Sequence, residues 1–205
     1  MNDAIKDTIT VYIWLPKKFL GHVSMQVGLD TYISFWPHES IIRPSHETRE
    51  NKNSRMSKNV KKLLTRHFIY TTCNTYEEDC FDLGESGFKR EADNKVELLN
   101  LPKEPIQKFW REFQTYQPSY NLLKRNCASV VAEAINEGWR GYISTKKIAN
   151  NVREIFETAT EYRDNYLEAL SFTNAALNLG RLLFWSPTQV WFYAKMVKRL
   201  TELNS

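Results

Sequence analysis

The stretch "GHVSMQVGLDTYISFWP", residues 21–37, constrains the fold more than any other. His22, Ser24 and Gln26 alternate with Val23, Met25 and Val27. That period of two marks a strand with one apolar face. "GLD" then turns the chain into a second extended run, closed by Pro37. A turn at 28–30 pairs Val27 with Thr31, so Ser24 faces Ser34 and His22 faces Trp36. An antiparallel hairpin of this kind must cover its apolar face with other elements.

Further strands are expected at "TITVYIWL" (8–15), "FIYTTCNTYE" (68–77) and "NKVELLNLP" (94–102), with "EEDCFDLGESG" (77–87) as an acidic turn region. Helical spacing dominates afterwards. In "EPIQKFWREFQTY" (104–116), Ile106, Phe109, Trp110 and Phe113 share one face. "NCASVVAEAINEG" (126–138) presents Val130, Val131, Ala134 and Ile135, with Gly138 as the expected C-cap. Residues 146–185 read as helix with breaks. Residues 186–200 read as a clean helix, capped by Ser186 with Pro187 in its first turn. Strands first and helices after give an α+β order rather than alternating βαβ units.

The chain has 205 residues, 42% of them hydrophobic and 25% charged, which suits one core with a helical appendage. The expected division is a core at 1–145 and a helical extension at 146–205 packing on it. Net charge is +4, too small to imply nucleic-acid binding. It is unevenly spread: residues 39–67 hold eight Lys/Arg against three Asp/Glu. This segment reads as a long basic insertion, with a short helix in "SKNVKKLLTRH" (57–67). It could touch acidic lipid head groups or an acidic partner, although a solvated loop is the commoner outcome. Cys73, Cys80 and Cys127 make an odd count, which argues against a disulfide framework. "MNDAIKDTIT" lacks the basic start and apolar run of a secretory signal, and no apolar run reaches the ~18–20 residues that span a bilayer. The expectation is a product made in the cytoplasm, with export by a specialised secretion system left open. No cofactor is implied. Cys73 and Cys80 have no Cys or His partners at ligand spacing, so no metal is expected.

Two residues carry possible chemistry. Cys127 opens a helix, where the dipole and free backbone N–H groups favour a thiolate, and Lys124 and Arg125 add positive potential. His22 lies on the polar side of a strand, rigidly held, and could serve as its base. Ser34, or His38 as the alternative, falls on the same face and could orient the imidazole, with Trp36 shielding it. Against this, a cysteine sharing a helix face with Val130, Val131 and Ala134 is more often core packing.

The order of these motifs carries a resemblance. "GHVSMQVGLDTYISFWP" precedes "YNLLKRNCASVVAEAI" by about a hundred residues, and "SPTQVWFYAKMV" follows near the end. The arrangement resembles the circularly permuted branch of papain-like, NlpC-type cysteine enzymes, bacterial effector-like members above all. Lecithin:retinol acyltransferase-like proteins share the "NC" leading an apolar helix. The resemblance implies a permuted papain-like fold, a small antiparallel sheet packed against helices. It implies Cys127 as nucleophile, His22 as base and Ser34 as the third polar position. The activity implied is a cysteine hydrolase or transferase on an amide or acyl bond, with a protein or peptide substrate ahead of a lipid. The competing expectations are a non-catalytic binding module on the same fold and a lipid acyltransferase or phospholipase at a membrane surface.

Overall fold

The computed structural model describes residues 8–16, 21–38, 66–84, 87–145 and 185–203. Most of the expected basic insertion and residues 146–184 of the expected extension lie outside them. The described residues form a mixed α+β structure. Its elements in chain order are β1 (Ile9–Trp14), β2 (His22–Val27), β3 (Thr31–Ile33), β4 (Trp36–Pro37) and β5 (Tyr70–Thr71). There follow α1 (Tyr76–Asp82), β6 (Asn94–Leu98), α2 (Lys103–Tyr116), α3 (Cys127–Thr145) and α4 (Pro187–Leu203).

The main sheet is antiparallel, in the order β3-β2-β1-β6. Val27 pairs with Thr31 across the hairpin, as the turn length requires. Gly28 turns the chain with a φ of 60°, a region open to glycine. Register places Ile9, Val11 and Ile13 of β1 beside Val27, Met25 and Val23 of β2, and beside Leu98 and Val96 of β6. These side chains form one apolar face. α2, α3 and α4 cover it with Ile106, Trp110, Val130, Val131, Ala134, Ile135, Val190, Ala194 and Val197. Each fully buried side chain of this size contributes about 1.5–3 kcal/mol. α4 packs on β1, β6 and α3, so the end of the chain completes the core. Ser186 caps it as expected: the Gln189 N–H donates to Ser186 Oγ, and the Ser186 N–H to Gln189 Oε1. Among the described residues no helix is long and apolar enough to cross a membrane.

The other sheet face carries Tyr12, Trp14, His22, Ser24 and Tyr32. Its β2 side is not solvated: His22 and Ser24 are fully buried. The covering element is α1, which occupies the region expected to be an acidic turn and the end of a strand. Thr75 caps it by accepting from the Glu78 N–H at 3.2 Å, and Glu77, Glu78 and Asp79 favour its positive end. The expected strand at 68–77 shrinks to Tyr70–Thr71, which pairs with β4 in a second, two-stranded sheet. The second hairpin strand breaks at Ser34–Phe35 for the same reason: Trp36 and Pro37 leave β2 to pair with β5.

Gly138 does not end its helix, which runs on to Thr145. Its role is close packing. A Cβ there would sit 2.7 Å from Ile106 Cδ1 and 3.0 Å from Ile106 Cγ1, so a larger residue would force the buried Ile106 side chain of α2 to shift. Gly138→Val is therefore expected to lower stability by about 1–3 kcal/mol through overpacking. Urea unfolding measures it; an unchanged or raised midpoint would mean that α2 and α3 are not so apposed.

Candidate functional site

The chain approaches α3 through a pinned turn. Phe68 and Tyr120 exchange backbone hydrogen bonds at 2.9 and 2.8 Å, and Asn121 and Arg125 do so at 2.8 and 3.0 Å. Asn121 Oδ1 accepts from the Leu123 and Lys124 N–H groups. Asn126 then caps the helix reciprocally. Its Oδ1 accepts from the Ser129 N–H at 2.8 Å, and its own N–H donates to Ser129 Oγ at 2.9 Å. Its Nδ2 donates to the Leu122 and Trp185 carbonyls, which ties the helix start to the segment leading into α4. Cys127 is the first residue of this helix, 7% exposed.

His22 opens β2 and is 1% exposed. Its ring stacks on Trp36 with centroids 3.9 Å apart and planes at 18°, and Trp14 flanks it at 5.5 Å. Gly21, just before it, has a φ of 76°, and a Cβ there would lie 2.5 Å from the Trp14 carbonyl oxygen. The tight bend that delivers His22 into the sheet thus requires glycine.

The third member of the group is Asp79 on α1, fully buried. Its Oδ2 lies 3.4 Å from His22 Nε2. Tyr32 Oη donates to Oδ2 at 2.6 Å, while Ser34 Oγ and Trp36 Nε1 both donate to Oδ1 at 2.8 Å. With Nε2 turned to Asp79, Nδ1 is the ring nitrogen left for Cys127, which lies close enough for each group to shift the pKa of the other.

The structure brings Cys127, His22 and Ser34 together. Ser34 Oγ lies 3.5 Å from His22 Nε2, but its proton goes to Asp79. The orienting position expected of Ser34 is therefore held by a carboxylate, with Ser34 supporting it. His38 is exposed past β4, where its N–H donates to the Ile69 carbonyl at 2.8 Å, and it stands outside the group. The sequence signal for Asp79 is the pair Thr75 and Glu78, whose capping-box spacing marks a helix start inside the expected strand and acidic turn.

Electrostatics favour charge on all three groups. Burial pushes His22 down, but the Asp79 carboxylate and the Cys127 sulfur outweigh it and raise its pKa to about 9. Burial pushes Cys127 up, but the charge and hydrogen bond of His22, with the backbone N–H groups of Val23 and Ala128, bring its pKa below the ordinary thiol value. Burial also opposes ionisation of Asp79; the charge of His22 and the hydrogen bonds from His22, Tyr32 and Trp36 hold it well below the usual carboxylate range. Each shift favours the charged form, so the row runs from a thiol with a lowered pKa through a raised imidazole to a lowered carboxyl. The Tyr120 hydroxyl lies near Cys127 as well, and burial followed by the nearby sulfur pushes its pKa well up. Cys73 and Cys80 are buried thiols raised by desolvation, the opposite of Cys127. Among the described residues no group of three or more His, Cys, Asp or Glu side chains could hold a metal ion.

Comparison with protein-family models, curated proteins and solved structures returns no match to this chain.

The two central groups have opposing pH signatures. His22 keeps its proton up to about 9 in the folded chain and near 6.5 in the unfolded one. Its contribution to stability is full below about 6.5 and is lost as pH rises through about 9. Cys127 is depressed below an unfolded value of about 8.5, so its contribution is present above that value and is lost as pH falls through its native pKa. Where the pH lies above both the native pKa of Cys127 and about 6.5, and below about 8.5, the native pair carries one proton, on His22, and the unfolded pair also carries one, on Cys127. The pair adds no slope there. Cys127→Ala removes one side of the balance, so stability should fall with rising pH above about 6.5, by up to about 1.4 kcal/mol per unit. Urea unfolding across this range tests it. The same flat profile in wild type and Cys127→Ala would contradict an ion pair.

Proposed function

We propose that the protein is a cysteine-dependent hydrolase or transferase acting on an amide or acyl carbonyl, with a permuted papain-like arrangement of its sheet and helices. The observation that carries this is the buried row Cys127, His22 and Asp79, assembled from three separate elements and shifted toward a thiolate–imidazolium pair. A cysteine that merely packed a core would have its thiol raised, as Cys73 and Cys80 do.

The steps follow from the charges. The Cys127 thiolate attacks the carbonyl carbon, forming a C–S bond while an electron pair moves to the oxygen. That oxyanion falls at the positive end of α3, whose first backbone N–H groups are the available donors. When the intermediate collapses, the bond to the leaving group breaks and the His22 imidazolium supplies its proton. The neutral imidazole then takes a proton from water or an amine, which attacks the thioester. Collapse of the second intermediate releases the acyl product and restores the thiolate–imidazolium pair. Asp79 orients the ring and balances its charge throughout. The preferred substrate is a protein or peptide carbonyl, with an acyl lipid second.

The test uses p-nitrophenyl acetate as a simple acyl donor. Wild type should release nitrophenol in a burst and, quenched in acid, carry an acetyl group on Cys127 that hydroxylamine removes. His22→Ala should slow acylation by about 10²-fold or more, the range for loss of a positioned acid–base group. Acetylation that misses Cys127, or that proceeds equally fast without His22, would leave a binding module on this fold as the better reading.

A further inference from the structure

Asp79 is gripped by more groups than orienting one imidazole requires. His22 Nε2 comes only to 3.4 Å from Oδ2. The short contacts all come from neutral donors: Tyr32 Oη at 2.6 Å, Ser34 Oγ at 2.8 Å and Trp36 Nε1 at 2.8 Å. These are alternate residues of the single stretch that leads from β3 into β4. Behind them, Ser24 Oγ lies 2.6 Å from Tyr32 Oη. Tyr32 has committed its proton to Asp79, so Ser24 is the donor in that contact. The order is Ser24 to Tyr32 to Asp79, entirely buried.

A carboxylate removed from water takes up a proton unless its charged form is well hydrogen-bonded. His22 is an insufficient anchor for this purpose. Its contact is long, and acyl transfer switches it between imidazolium and neutral imidazole. Donors that never change charge do not have that weakness. We propose that Tyr32, Ser34 and Trp36 are positioning residues that hold Asp79 ionised and aimed at His22 in both charge states of the imidazole. The proton that His22 carries is then exchanged with the reacting groups and water, not with Asp79. Trp36 acts twice, since the ring that donates to Asp79 also covers the face of His22.

The catalytic meaning of this clamp rests on the acyl-transfer reading above; its effect on His22 does not. Titratable groups face His22 from two packed helices: Asp79 from α1 and Cys127 from α3, with Tyr120 beside Cys127. Tyr32 and Cys73 face Asp79, and burial next to its charge pushes both up, so they stay neutral across the working range.

The experiment is a histidine ring titration by NMR on the full chain, in wild type, Tyr32→Phe, Trp36→Phe, Ser34→Ala and Asp79→Asn, with His22 assigned by its loss in His22→Ala. Asp79→Asn sets the limit, a His22 pKa brought down toward or below 6.5. Tyr32→Phe and Trp36→Phe keep the rings and delete one donor each. Each should move the His22 pKa down toward that limit, because an Asp79 held less firmly as a carboxylate, and less firmly aimed, supports the imidazolium less. Ser34→Ala supplies a third deletion should either aromatic variant fail to fold. A folded variant whose His22 pKa stays at the wild-type value, or rises, overturns the proposal, even if its melting temperature drops. Iodoacetamide labelling of Cys127 in the same samples separates the two ideas. Fast labelling of wild type near pH 6 with His22 unmoved in the variants keeps the nucleophile and removes the clamp. Slow labelling with His22 lowered in the variants keeps the clamp and removes the acyl-transfer reading.

Discussion

The buried contact between His22 and Asp79 is the interaction on which the site depends. Both are essentially sealed from solvent: His22 is charged because Asp79 lies beside it, and Asp79 is supported by His22 together with the donors Tyr32, Ser34 and Trp36. Their pairing helps fix α1 over the polar face of the sheet, where Asp79 bonds groups of β2, β3 and β4 while Tyr76 stacks on Tyr12 and Trp14. The apolar face is stabilised differently, by aliphatic contact with α2, α3 and α4. The sheet thus has one face that holds the fold and another that holds a charge. His22 stands at the end of β2, where the start of α3 brings Cys127 to it.

This division explains why a cysteine sharing a helix face with core residues can still carry a low pKa. Val130, Val131 and Ala134 continue into the core. Cys127 precedes them by a turn, at the one place on α3 where backbone N–H groups are unpaired by the helix. The reciprocal cap between Asn126 and Ser129 leaves the Cys127 and Ala128 N–H groups outside the helical ladder. Burial of Cys127 removes water that would compete for its charge, and His22 supplies the counter-charge. Burial without that counter-charge gives the raised thiols of Cys73 and Cys80.

Much of this was legible in the sequence, because the relevant signals are local. Alternation from His22 to Val27 and the turn length set the hairpin register from Val27–Thr31 to Met25–Ile33; beyond it Trp36 pairs with β5 and meets His22 by ring stacking rather than across the hairpin. Asn126 followed by an apolar helical pattern set the start of α3. Asp79 was not legible for two physical reasons. α1 is only seven residues long, too short for a periodic pattern, and its acidic composition reads as an exposed turn. Its partners His22, Tyr32, Ser34 and Trp36 lie more than forty residues earlier, a separation that no local pattern encodes. Gly138 shows the converse: a residue that ordinarily stops a helix is tolerated inside one where a neighbouring helix needs the space.

If Cys127 rests as a thiolate beside a protonated His22, the ultraviolet absorbance of the thiolate reports it most directly, taken as the difference between wild type and Cys127→Ala across a pH titration. The thiolate band should already be present near pH 6, and in His22→Ala it should appear only at or above the ordinary thiol range of about 8.5. A band that emerges in wild type only near that ordinary range, unchanged by removal of His22, would contradict it.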